Sequence, residues 1–243
     1  MKIQNFIFCW NEHVPAAFKL ERMLSPYGKT TVINSNVNFN YGKWINLNDA
    51  YFAEQWNTLL ENVDDDTDYV FHIQADAKFD ESVGAYGNTP IQIMFDRFTE
   101  ATSQHKIGIY APDVDYTPCI YDREKLPRIS IESFYYEKFL YEVPCTDCTA
   151  WFINAKLMDK KPIFDLAVNK IGWGADFYYT AKSHLAGLKV VRDYQVQLQH
   201  EKKTTYNQTE GSRQFLKWLF MQDSEIFFKI GVLHTKYMTI RKY

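Results

Sequence analysis

Two hydrophobic periods alternate along the first third of the chain. Ile3 to Cys9 is a short apolar run of strand character that closes on Trp10-Asn11-Glu12. Residues 14 to 25 carry Phe18, Leu20, Met23 and Leu24 at helical spacing, and Pro26-Tyr27-Gly28 stops that helix. Thr30 to Ile33 is a second, β-branched strand, closing on Asn34-Ser35-Asn36. Asp49 to Asn62 reads as a helix with Asp49 as its N-cap and Phe52, Trp56, Leu59 and Leu60 turned inward. Tyr69 to Ile73 is a third strand, and it ends abruptly on Gln74-Ala75-Asp76. Strands separated by helices imply parallel β-α-β units in a covered sheet. Such sheets bind ligands outside the carboxyl ends of their strands. If the three strands are parallel, their three polar closing clusters share one rim, and Asp76 lies there rather than in a core.

Beyond residue 90 the pattern predicts a helix over 91–104, a strand over 106–111 and a strand over 149–154. Between those strands, residues 112–147 hold Pro112, Pro118, Pro127 and Pro144 and read as one long irregular stretch, a length that is usually functional or mobile. Gly172-Trp173-Gly174 leads into a helix over 175–186, and 189–198 is extended chain ending at His200. From Ser212 onward the pattern is helical and aromatic. The expected fold class is α/β, a mostly parallel sheet flanked by helices. Residues 1–206 would form one domain and 207–243 a helical extension packed on or beside it.

The chain has 243 residues, 46% hydrophobic, enough for one large core. A formal charge of −3 argues against a general nucleic-acid binder. Cys145 and Cys148 form a lone C-x-x-C with no second pair or nearby His, so they and Cys9 and Cys119 are expected as free thiols. No apolar leader and no run of eighteen apolar residues is read, so a cytoplasmic location without a transmembrane segment is expected. The tail mixes Phe227, Phe228, Ile230, Val232 and Leu233 with Lys229, Lys236, Arg241 and Lys242. That face could rest on an anionic membrane surface, though packing onto the sheet is the stronger expectation.

Taken in order, these segments resemble the GT-A class of nucleotide-sugar glycosyltransferases, and most of all its large inverting family, family 2. Phe8-Cys9-Trp10-Asn11-Glu12 is similar to that family's Y-N-E turn. Asn34-Ser35-Asn36 matches the position of its Asp-rich turn, and Gln74-Ala75-Asp76 that of its D-x-D signature. Gly172-Trp173-Gly174-Ala175-Asp176 resembles the W-G-G-E/D or E-D segment. Val196 to His200, with Thr204 and Tyr206 after it, resembles the late v-x-H segment. Two departures stand out: Gln74 replaces the first Asp of the signature, and Asn-Ser-Asn replaces the Asp-rich turn.

The resemblance implies transfer of a sugar from a nucleotide-diphosphate donor, of the UDP type, to an acceptor hydroxyl. A divalent cation, Mn2+ or Mg2+, would be held by Asp76 and His200. Phe8, Trp10, Asn34, Ser35, Gln74 and Asp76 would contact the donor nucleotide. Trp173, Gly174, Asp147 and Thr149 would contact donor or acceptor sugar, the glycines beside Trp173 letting the chain approach it closely. Asp176, in the first turn of its helix, is the expected general base. There the helix dipole favours its ionised form and desolvation opposes it. A retaining transferase on the same fold, or a degenerate module that binds nucleotide sugar or glycan without catalysis, are the alternatives.

Overall fold

A computed structural model of the chain describes residues 1–79, 87–115, 119, 121, 123–131, 139–200 and 207–237. Its centre is a ten-stranded sheet in the order β3-β2-β1-β4-β9-β6-β10-β8-β7, with β5 paired to β10 off that path. The strands are β1 Ile3–Cys9, β2 Lys29–Asn34, β3 Ile45–Asn46, β4 Tyr69–Gln74, β5 Ala77–Phe79, β6 Ile107–Val114, β7 Arg128–Ser130, β8 Phe139–Glu142, β9 Ala150–Asn154 and β10 Lys189–His200. The helices are α1 Val14–Leu24, α2 Phe52–Glu61, α3 Pro90–Gln104, α4 Ala175–Leu185, α5 Gln208–Leu219 and α6 Ser224–Tyr237.

β1, β2, β3 and β4 run parallel, as do β6 and β10. β9 runs antiparallel to both β4 and β6 and joins the two parallel groups. The period of two in β1 divides the core. Ile3, Ile7 and Cys9 face the layer that includes α1 and α3, while Phe6 and Phe8 face the layer of α2 and α4. Burying each such side chain contributes roughly 1.5–3 kcal/mol, so β1 alone ties both layers together.

Two expectations need correction. Asp49 does not cap α2. It has a left-handed backbone (φ 54°), and the helix begins at Phe52 after an uncapped Tyr51. The stretch 112–147 is not wholly irregular, because β7 and β8 form an antiparallel pair within it and β8 docks on β10. In the tail, Phe228 and Val232 are exposed and Phe227 is packed, while the side chains of Ile230, Leu233 and Lys236, and Arg241 and Lys242 altogether, lie outside the described residues. Phe227 is turned onto the α2/α4 layer and stacks on Phe220 at 5.4 Å. The extension's first helix is anchored by Trp218, which is 1% exposed and donates its indole N–H to the Ile163 carbonyl at 2.8 Å. No helix among the described residues is long and apolar enough to cross a membrane. All four cysteines are free thiols.

Candidate functional site

The parallel strands bring their closing clusters to one rim. Ala75 N–H donates to Phe8 O at 2.9 Å, tying the ends of β1 and β4, and Ser35 N–H donates to Cys9 O at 2.9 Å, tying β1 to β2. The antiparallel direction of β9 then delivers its start, not its end, to the same place. Ile73 pairs with Ala150, and Gln74 N–H donates to Thr149 O at 2.9 Å. A parallel β9 would have carried Asp147 and Thr149 to the opposite edge.

β10 supplies His200 by a different device. Its register against β6 breaks between Asp193 and Gln197, and beyond that break it pairs with β5, His200 opposite Ala77. The His200 imidazole thereby reaches Asp76, Nε2 to Oδ2 at 3.2 Å. Burial alone would push that imidazole down. The hydrogen bond and charge of Asp76 outweigh it, and the net shift is upward. Asp76 is 6% exposed, and its second oxygen, Oδ1, is buried with no hydrogen bond.

Asp147 is the hinge of the site's charge. It accepts from Arg192 at 3.2 Å and from Thr149 N–H at 3.0 Å, and both His200 and Asp176 feel its charge. Asp176 keeps part of its surface open at the start of α4, yet the protein packed around it desolvates its carboxyl. Desolvation is the largest influence, and with the charge of Asp147 it raises the carboxyl to about 7. The hydrogen bond from Phe177 N–H at 2.9 Å pulls the other way and is outweighed. An acid poised near neutrality, with part of its surface accessible, is what proton transfer at physiological pH requires.

Several predicted contacts lie elsewhere. Phe8 is fully buried, edge-on to His72 at 4.3 Å and Trp56 at 5.9 Å, because alternation turns it under α2; no ligand reaches it. Asn34 is fully buried and spends its amide on Phe39 O and Asn46 Oδ1, so it builds the turn instead of lining a pocket. Ser35 likewise directs its hydroxyl to Cys9 O at 3.3 Å. The glycines around Trp173 admit helices, not a sugar. A Cβ on Gly172 (φ 86°) would lie 2.5 Å from Ala53 N, and one on Gly174 (φ 112°) would lie 2.7 Å from the Phe215 and Trp218 rings. Trp173 packs its ring over Gly211 of α5, where a Cβ would come within 3.2 Å. Trp10 and Gln74 keep part of their surface accessible at the rim, as a ligand contact requires. The predicted Thr204 and Tyr206 lie outside the described residues.

Sequence reading missed Arg192, whose flanking Val190 and Val191 give it the look of an outward charge on a strand. It is 2% exposed and donates to Cys119 O at 2.8 Å and Thr146 Oγ1 at 3.1 Å besides Asp147. It forms one wall of a cleft of ≈ 220 Å³ with Asp113, Tyr121, Arg123, Tyr194 and Gln197. A larger depression, ≈ 530 Å³, includes Lys160, Lys161 and Tyr178. It follows the end of β9 that pairs with Tyr69, opposite the rim, and Lys160 there is paired with Asp65. The smaller cleft is the one that adjoins the charged rim.

Among the described residues no three His, Cys, Asp or Glu side chains converge as a complete metal cage would. Asp76 and His200 nevertheless offer part of a donor set for a divalent cation. They provide one unengaged carboxylate oxygen and one imidazole, both of which a divalent cation can use.

No family model matches the chain, and no curated protein matches it. Solved structures do. The crystal structure of GalNAc-T7 with UDP, GalNAc and Mn2+ aligns with a TM-score of 0.54 at 12% identity, covering 84% of this chain and 44% of that one. A197 from STIV aligns at 0.44 with 14% identity, over 84% and 87% of the two chains. The catalytic domain of Drosophila β1,4-galactosyltransferase 7 in complex with xylobiose aligns at 0.41 with 10% identity, over 88% and 80%. The chain spans less than half the length of GalNAc-T7, and likeness at this identity shows the fold: an α/β, Rossmann-like sheet of GT-A type with a helical C-terminal extension.

Proposed function

We propose that the chain is a metal-assisted glycosyltransferase that moves a sugar from a UDP-type nucleotide sugar to an acceptor hydroxyl with inversion. The observation that carries this reading is Asp176: a carboxyl raised to about 7, at the first turn of α4, beside the rim where Asp76 and His200 pair. The GT-A fold supports it, since the GalNAc-T7 structure on that fold contains UDP and Mn2+.

In this reading Asp76 and His200 would hold the divalent cation, which would supply Lewis-acid stabilisation of the departing diphosphate, with Gln74 and Trp10 facing the donor. Asp176 accepts the acceptor's hydroxyl proton while that oxygen bonds to the anomeric carbon. The bond from that carbon to the diphosphate oxygen breaks, and the nucleotide leaves with the electron pair. Desolvation keeps Asp176 basic enough to take the proton, with a smaller contribution from the charge of Asp147, which Arg192 holds in place. Gln74 supplies hydrogen bonds without charge, so cation affinity rests on Asp76 more heavily than in a site with two acids.

The test is a donor screen. The protein is incubated with Mn2+ and a panel of nucleotide sugars, and nucleotide release is measured with and without chelator. Chelator-sensitive release from one donor class supports the reading. Nucleotide binding without release from any donor, with acceptors supplied, leaves the non-catalytic binding module in its place.

A further inference from the structure

The cleft beside Arg192 carries an inference that rests on the glycosyl-transfer reading and goes further, to which sugars are accepted. Its charges come in matched pairs. The Arg192 guanidinium is committed to Asp147, Thr146 and the Cys119 carbonyl. Among the described residues that leaves one cation, Arg123, and one anion, Asp113, facing the space. Arg123 lies over the Tyr194 ring, 5.0 Å from its centroid, and Tyr194 is braced edge-on by Tyr141 at 5.4 Å.

Asp113 is half-buried near the end of β6, and its carboxylate takes no hydrogen bond or ion pair from any described residue. Burial pushes it up, while the charges of Arg192 and Arg123 pull it down. Gln197, opposite Asp113 across the β6–β10 ladder, adds an exposed amide that both donates and accepts. An acceptor-only carboxylate, a donor-only guanidinium and a two-way amide around one small space complement neighbouring hydroxyls, each of which donates and accepts. The volume, ≈ 220 Å³, lies below the roughly 300–1,000 Å³ of sites for drug-sized ligands, and so suits a single ring. A negatively charged ring would set its charge against Asp113 and disturb the matched pair.

We propose that this cleft is a specificity pocket for one neutral polyhydroxylated ring, bound by Asp113, Arg123 and Gln197, and that it rejects anionic sugars. Arg192 and Asp147 join it to Asp176, so a ring seated there is the acceptor's reacting or neighbouring unit.

Saturation-transfer NMR on the full chain tests this, using methyl glycosides of glucose, galactose, mannose and N-acetylglucosamine beside methyl glucuronide. At least one neutral glycoside should bind at ~1–10 mM, the strength a few hydrogen bonds to one ring supply. Methyl glucuronide should bind at least ~10-fold more weakly, one unfavourable charge contact being worth about 1.4 kcal/mol. Asp113→Ala should weaken the neutral ligand by ~10-fold or more. Gln197→Ala, a change at an exposed position that leaves the core intact, should weaken it by ~3-fold or more. Failure of all four neutral glycosides, stronger binding of the glucuronide, or unchanged affinity in both variants overturns the proposal. Calorimetry with UDP and Mn2+ separates it from the reading beneath it. UDP binding without glycoside binding defeats the pocket alone; glycoside binding without UDP binding defeats the transferase and keeps the pocket.

Discussion

The two halves of β10 treat buried charge in opposite ways. Before the register break, Asp193 is fully buried and fully engaged. Arg97 donates to both its oxygens, at 2.5 and 3.0 Å, Tyr110 donates at 2.5 Å, and Gln195 N–H closes the set at 3.0 Å. Beyond the break, His200 reaches a rim where, among the described residues, Asp76 keeps one oxygen without a partner and the Asp176 carboxylate takes a hydrogen bond from its own helix's N–H. The first region uses its polar groups to fix the bend in the strand. The second leaves its polar groups partly satisfied, which costs stability and leaves capacity to bind and to move protons.

This contrast breaks most visibly at Asp76. Asp76→Ala should reduce metal-dependent nucleotide release to background while the far-ultraviolet circular dichroism stays that of the wild type. His200→Ala should cost less, because imidazole brings a ligand without a negative charge. Retention of wild-type turnover in Mn2+ by Asp76→Ala would remove the rim from the account.

Next in size is the closed region. Asp193→Asn should lower unfolding stability in urea by about 3–5 kcal/mol, the cost of stranding one member of a buried pair. The same change at Asp176 should not destabilise. If Asp193→Asn unfolds at the wild-type midpoint, the two regions do not differ as described.

A smaller effect sharpens the comparison through pH. The Asp176 carboxyl ionises at about 7 in the folded chain and near its ordinary value, 3.8, when unfolded. Between those values the folded state holds a proton that the unfolded state has lost, so this group's contribution to stability falls as pH rises from about 4 to 7. Asp176→Asn removes that dependence. Its stability relative to wild type should therefore rise by on the order of 2 kcal/mol between pH 4 and pH 8, allowing for the group's partial exposure. Thermal melts of both proteins across that range would show it, and parallel curves would mean that Asp176 is solvated normally.

The smallest expected effect is at Gln74. Gln74→Asp adds a carboxylate near the cation position and should tighten Mn2+ binding by ~10-fold or less. An unchanged titration midpoint would turn that side chain away from the site.

Much of this was legible because it is local. The period of two in Ile3 to Cys9 and the helical spacing of Trp56, Leu59 and Leu60 gave strands and helices whose parallel pairing follows from their alternation. The direction of β9 was not legible. It follows a long proline-bearing stretch, with no connection length to mark it as antiparallel, though that direction decides where Asp147 lies. Gly172 and Gly174 announced a close approach but not what approaches, which proved to be α2 and α5. Arg97 and Asp193 lie 96 residues apart, so no sequence pattern announces their pairing.

The most direct measurement sets donor affinity beside transfer rate for Asp176→Asn, with a working acceptor and one preparation of each protein. The substitution keeps shape and hydrogen bonding but cannot accept a proton. A general base acts in the transition state, so turnover should fall by roughly 10²–10⁴-fold while calorimetric donor affinity stays at the wild-type value. Equal turnover in the two proteins, or a loss carried wholly by donor affinity, would contradict the assignment of Asp176 as the base.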